Sequence, residues 1–338
     1  MKRSRIYQPF KIDRRQRGIA LITVILIVAV VMALAYHLLT QHSLTISSSK
    51  LLIDRAQLRE YALGGELFAR EILYADWENE DTRAVDTLAE KWAEPFEPIS
   101  FDGGNLSVKI YDLSARFNLN ALIGRHGPDN ILRFRRFLEI LGLDQSGADL
   151  WLDWIDDNQE VSEFGAEDDQ YLLKNTPYRT ANQLADDRSE LMALGVFSRR
   201  ELDRLFPFVV ALPTTDLEIN VNTVLQPVLE SLSPNFDRSE AELLIESERE
   251  FVTVEDITAE YAALGDSVAV LGVASEYFQI ESRAEAANNR VHLWSLVHRD
   301  MTSGKVTLLS RDYSRKEDRA SELMFTDDQE RRRSSEDL

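Results

Sequence analysis

Apolar residues run almost unbroken from Ile19 to Leu39, and beyond them the apolar positions thin to one face of a helix through about residue 77. At 1.5 Å per residue, about 21 helical residues span the roughly 30 Å hydrocarbon core of a bilayer. The outer half, with Leu44, Leu51, Ile53, Leu58, Tyr61, Leu63, Leu67, Phe68 and Ile72, is amphipathic. The spacing therefore predicts one long helix, apolar all round at its start and able to pack one face on a domain at its end.

The remaining chain divides by period. "NLSVKIYDL" (105–113) alternates as a half-buried strand, and "EYFQIESRAEAANNRVHLWSLVHRDMTSGKVTLLSRDY" (276–313) reads as three more, turned at Asn288–Asn289 and at Gly304. These are expected to form one antiparallel sheet. Between them, over residues of about 115 to 275, the period is helical, as in "DNILRFRRFLEILG" with Gly142 as its C-terminal stop. "PYRTANQL" (177–184) is expected to open a further helix, with Thr180 or Asn182 near its cap. Residues 315–338 are charged and nearly free of large apolar side chains, which predicts a disordered tail. The fold class is α+β, with a helical domain inserted between sheet strands.

Charge narrows the function. The 338 residues carry a net −20; the first 18 hold seven basic side chains against Asp13, and removing their +6 leaves about −26 for the rest. Such a body repels nucleic acid and anionic lipid. There is no cysteine, hence neither disulfide nor thiol nucleophile. The chain lacks a G-x-S-x-G elbow and a phosphate-binding glycine loop, and its five histidines show no metal-ligand spacing, so no enzyme is expected. His292 and His298, six apart on one strand face, read as sheet residues.

The densest chemistry is acidic. Asp153, Asp156, Asp157, Glu160, Glu163, Glu167, Asp168 and Asp169 lie within 17 residues, around Gly165. Hard oxygen ligands crowded on a turn suit calcium, and a cation would relieve their repulsion; a solvated acidic loop has the same composition. The ligand set read here is Asp153, Asp156, Asp157, Glu160, Glu167 and Asp168. Trp151 and Trp154 read as helix core. "INVNTVLQPVLESLSPNFDRSEAELLIESER" (219–249) reads as helix, short turn, helix. Its turn, "SPNFD", has no glycine to bring backbone N–H groups to a phosphate and is ringed by acids, so it is read as packing rather than DNA binding. Asn220 and Asn222 read as turn and capping residues.

The basic N-terminus stays on the cytoplasmic side and leaves the body outside. "ALA" at 33–35 fits an ordinary signal-peptidase site, which would start the mature chain at Tyr36 and make it a signal-cleaved periplasmic or secreted calcium-binding protein. Against this, the apolar run exceeds the roughly 7–15 residues of a signal core, and the helix continues past it.

A basic leader ending at Gly18, followed directly by a membrane-length helix, resembles a class III, prepilin-type signal. "YDLSARFNLNAL" (111–122), "WLDWIDDNQEVSEFGAEDDQYLLKNTPYRTANQL" (151–184), "EINVNTVLQPVLESLSP" (218–234) and "SEYFQIES" (275–282) extend the resemblance, in order, along the chain. Together they are similar to the protein K family of minor pseudopilins in type II secretion. That resemblance implies a pseudopilin fold, a long N-terminal transmembrane helix packed on an antiparallel sheet, with a large SAM-like or helix-hairpin-helix-like α-helical insertion. It implies cleavage by prepilin peptidase between Gly18 and Ile19, N-methylation of Ile19, and a tip position in which Thr23 replaces the glutamate usual at the fifth mature residue. It also implies bound calcium, the minor pseudopilins I and J as partners, no nucleic acid, and a single pass through the inner membrane with a periplasmic body. The divisions expected are leader 1–18, transmembrane helix 19–39, helix and first strand 40–114, helical insertion 115–275, C-terminal strands 276–314 and tail 315–338.

Overall fold

The computed structural model describes residues 14–80, 82–287 and 289–314, with side chains from residue 21. The expectations for most of the leader and for the tail at 315–338 fall outside the described residues. The first helix, α1 (Arg14–Glu78), runs unbroken for 65 residues, as its apolar period predicts. The chain forms two compact units that divide after Gln57. In the first, α1 is the one described helix long and apolar enough to cross a membrane, and none of its apolar window is buried by the chain.

In the second unit α1 changes character. Leu58, Ala62, Ala69 and Leu73, at helical spacing, are buried in one core with Val108, Ile110, Phe278, Ile280, Leu293 and Val297 of the sheet. The elements that follow α1 are β1 (Ile99–Phe101), β2 (Gly104–Asp112), β3 (Phe117–Asn118), α2 (Gly127–Ile140), α3 (Gly147–Ile155), α4 (Asp168–Tyr171), α5 (Leu191–Leu194) and α6 (Arg199–Leu205). Next come β4 (Val209–Val210), β5 (Ile219–Asn220), α7 (Gln226–Leu232), α8 (Arg238–Glu246), α9 (Val254–Glu260) and β6 (Leu271–Gly272). Three long strands close the described chain: β7 (Tyr277–Ala286), β8 (Asn289–Arg299) and β9 (Val306–Asp312).

The main sheet has the order β1-β2-β7-β8-β9, antiparallel throughout. The short β1 was not anticipated: three residues are too few to show a period. Ala286 pairs with Asn289, so Asn289 belongs to β8 rather than to the expected turn, and the chain already turns at Ala287. Gly304 does turn β8 into β9, with φ at 70°, and the Trp77 ring lies where its Cβ would be. Gly142, at φ 62°, ends α2; its N–H bonds the Glu139 carbonyl and that of Leu143 the Leu138 carbonyl.

The helices between β2 and β7 have a core of their own, with Phe117, Phe134, Phe137, Trp151, Val221 and Leu229 among its fully buried members. Trp151 and Trp154 both belong to it, as read from sequence. "PYRTANQL" is not helical. The next helical turn instead starts at Asp187, whose side chain and Glu190 form a capping box. Helix α7, a turn and α8 follow the expected arrangement, with Asp237 capping α8.

Both ends of the helical body are tied at one carboxylate. Asp112, the last residue of β2, is buried and accepts hydrogen bonds from Ser114 N (2.7 Å), Ser275 Oγ (2.6 Å) and Asn220 Nδ2 (3.1 Å). Thr223 Oγ1 donates as well. Asn220 also closes a local turn, its Oδ1 accepting from Asn222 N at 3.0 Å.

Candidate functional site

Three of the six candidate ligands converge. Asp153, Asp156 and Glu167 each bring a carboxylate oxygen within 4.8 Å of the other two. Asp153 lies in the last turn of α3 and Asp156 caps that helix. This is the end where the helix dipole is negative and carboxylates are unfavourable. The chain returns through Gly165, where a Cβ would sit 1.8 Å from Asp153 Oδ2. Asp153 accepts from Ser162 N (3.0 Å) and Ser162 Oγ (2.5 Å). Glu167 accepts from Thr180 Oγ1 at 3.3 Å through Oε2, and its buried Oε1 has no partner.

Electrostatics mark the same three groups. Burial, followed by the charge of Asp153, pushes the Glu167 carboxyl up to about 7. Burial also raises Asp153 and Asp156 above the ordinary range. Crowded acids at a helix C-terminus, with a buried oxygen left unbonded, fit a hard cation taking 6–8 oxygens better than an open acidic loop.

The other candidates do other things. Asp157 and Glu160 are exposed and stand outside the trio; Glu160 N bonds Asn158 Oδ1 in a local turn at 2.6 Å. Asp168 is engaged by Arg179 Nη1 (2.8 Å) and by Thr180 N (3.0 Å). Spacing could not separate these from the three that meet. The same bonds explain the missing helix at "PYRTANQL": the Thr180 backbone and hydroxyl bond acidic side chains rather than cap a helix. Gly165→Ala should therefore destabilise the chain by about 1–3 kcal/mol by overpacking and blunt any response to calcium. Melting in calcium and in chelator measures both, and a wild-type melting curve from the variant would contradict it.

A second trio, Asp76, Asp86 and Glu90, escaped the sequence reading because its residues are scattered among other acids. Here the cation is supplied by the chain. Arg299 donates from Nη1 to Asp76 (2.9 Å) and from Nη2 to Asp86 (2.7 Å).

Residues 115–214 match the model of "Type II secretion system (T2SS), protein K". The type II secretion system protein K of Pseudomonas aeruginosa is 40% identical over 314 residues, 88% of this chain and 93% of that protein. The chain belongs to the type II secretion system protein K family. The Pectobacterium carotovorum protein K is 30% identical, over 88% of this chain and 97% of its own length. A chain of the GspK-GspI-GspJ complex from the enterotoxigenic Escherichia coli type 2 secretion system superposes with a TM-score of 0.71. It is 23% identical and covers 79% of this chain and 99% of that one. The fold is thus the α+β pseudopilin fold, and protein K is a minor pseudopilin of type II secretion.

Proposed function

We propose that this chain is the tip subunit of a short periplasmic pseudopilus, assembled with the minor pseudopilins I and J. Its basic leader is removed by prepilin peptidase between Gly18 and Ile19, and Ile19 is N-methylated. The apolar start of α1 then holds the chain in the inner membrane, with the body in the periplasm, and the assembled tip supports secretion across the outer membrane. The observation that carries this reading is the helical body between β2 and β7. A shaft repeats one tight subunit packing, whereas a cap has no subunit above it to exclude.

Thr23 supports the same place. A new subunit brings a positively charged amino terminus into apolar surroundings, where an unpaired charge is expensive. Threonine offers it no counter-charge, a loss that matters least to a subunit with none above it. Calcium at Asp153, Asp156 and Glu167 belongs to the proposal as a structural ion. Labelled chain should be found at one end of isolated pseudopili, in far fewer copies than the major subunit, and the mature protein should begin at Ile19. Even labelling along the shaft would overturn the tip reading. A start at Tyr36 would favour a signal-cleaved calcium-binding protein instead.

A further inference from the structure

Phe278 and Ile280 are buried in the core that the sheet shares with α1, so Gln279 between them belongs to the opposite face. There Gln279, Leu296 and Ser310 stand in one row across β7, β8 and β9. With Arg116, Arg188 and Val210 of the helical body they line a cleft of about 80 Å³, room for about five to eight atoms the size of water. Gln279 is 8% exposed, yet among the described residues nothing bonds its buried Oε1. A buried acceptor left unmet costs free energy, and this one borders a space large enough to hold a donor.

Charge identifies the class of ligand. Arg116 and Arg188 are both buried, and the Phe206 carbonyl anchors the Arg188 guanidinium. Asp186, Asp187 and Asp312 line the same cleft but are exposed, which puts positive charge inside and negative charge at the mouth. A bare anion must pass three carboxylates, and a bare cation must settle beside two guanidiniums. An apolar molecule would leave Gln279 Oε1 unmet. A molecule with both charges a few bonds apart meets none of these objections. Its carboxylate suits the guanidiniums, and its ammonium can donate to Gln279 Oε1 within the field of the rim aspartates.

We infer that this cleft binds a small zwitterion, a free α-amino acid of the size of glycine or alanine. Its walls come from the sheet and from the helical body alike, so the bound molecule ties one to the other and stabilises the fold.

The test uses the full chain in detergent, titrated with L-alanine and, separately, with acetate and with ethylammonium, which carry one charge each. Binding is read by saturation-transfer NMR and by the melting temperature. Alanine should saturate and raise the melting temperature, while each single-charge probe should need at least about tenfold higher concentration. Gln279→Leu should melt no lower than wild type without ligand, because the unmet acceptor is gone, and should bind alanine at least about tenfold more weakly. Asp186→Asn, at an exposed position, serves if Gln279→Leu does not fold, and should weaken alanine by about threefold. Failure of wild type to bind alanine would mean that water alone meets Gln279 and would overturn the site. Equal binding of acetate would overturn the zwitterion in favour of a plain anion. Undiminished alanine binding by either variant would place the ligand elsewhere and overturn the cleft.

Discussion

Truncating Arg299 to alanine is expected to lower the unfolding free energy by about 3–5 kcal/mol, the cost typical of leaving a buried charge without its partner. The guanidinium is 1% exposed. It bonds Asp76, Asp86 and the Ser275 carbonyl, and lies over the Phe278 ring at 4.8 Å. Without it, Asp76 and Asp86 face each other and Glu90, whose carboxyl burial and the Asp76 charge already push up to about 8. Arg299→Lys should rescue little, because one ammonium cannot present the two-pronged planar fork that spans both acids. The variant's deficit should shrink in acid. A carboxyl with a raised folded pKa contributes stability below its unfolded pKa, near 4, and loses it as pH rises through the folded value. Denaturant titration at pH 5 and pH 8 measures this; a loss below about 1 kcal/mol at pH 8 would contradict the assignment.

Calcium should stabilise the chain, and more so as pH rises. At a hundred times its Kd, a ligand binding only the folded state adds about 2.7 kcal/mol. The pH dependence comes from Glu167, whose carboxyl sits up near 7 against an ordinary 4.5. In chelator, its contribution is fully present below about 4.5 and disappears as pH rises through 7, so melting temperature should fall across that interval. Calcium needs the ionised carboxylate, so binding releases a proton below pH 7 and tightens above it. Asp156→Asn should weaken the response while preserving the fold, because that side chain is only partly buried. Identical melting curves in calcium and chelator at pH 8 would remove the ion from the account.

The long periods were legible in the sequence. A 65-residue helix and the four long strands announce themselves through repeated 3.6- and 2-residue spacing, and Gly142 and Gly304 through the positive φ they adopt. What stayed hidden depends on partners far away in sequence. The pairing of β2 with β7 joins segments that no local pattern relates, and Arg299 meets Asp86 across more than two hundred residues. In the acidic loop, composition marked a run of seventeen residues but not the three whose carboxylates converge. Asp157 and Asp156 are neighbours with the same chemistry, and only the end of α3 decides which one turns inward. The capping residues at "PYRTANQL" misled for a related reason: Thr180 carries a capping side chain, but nearby carboxylates claim it.

The helical body leaves the sheet at Asp112 and re-enters at Tyr277, on strands that lie side by side. As a flexible loop those 164 intervening residues would charge about 4–5 kcal/mol of closure entropy to the pairing of β2 with β7. Folded, with both ends held at the Asp112 carboxylate, the same residues act as a short rigid turn, and most of that entropy has already been surrendered to a separate core. The two cores are therefore thermodynamically coupled without sharing a side chain: loosening the body lengthens the effective loop and weakens the central strand pair of a sheet it never enters.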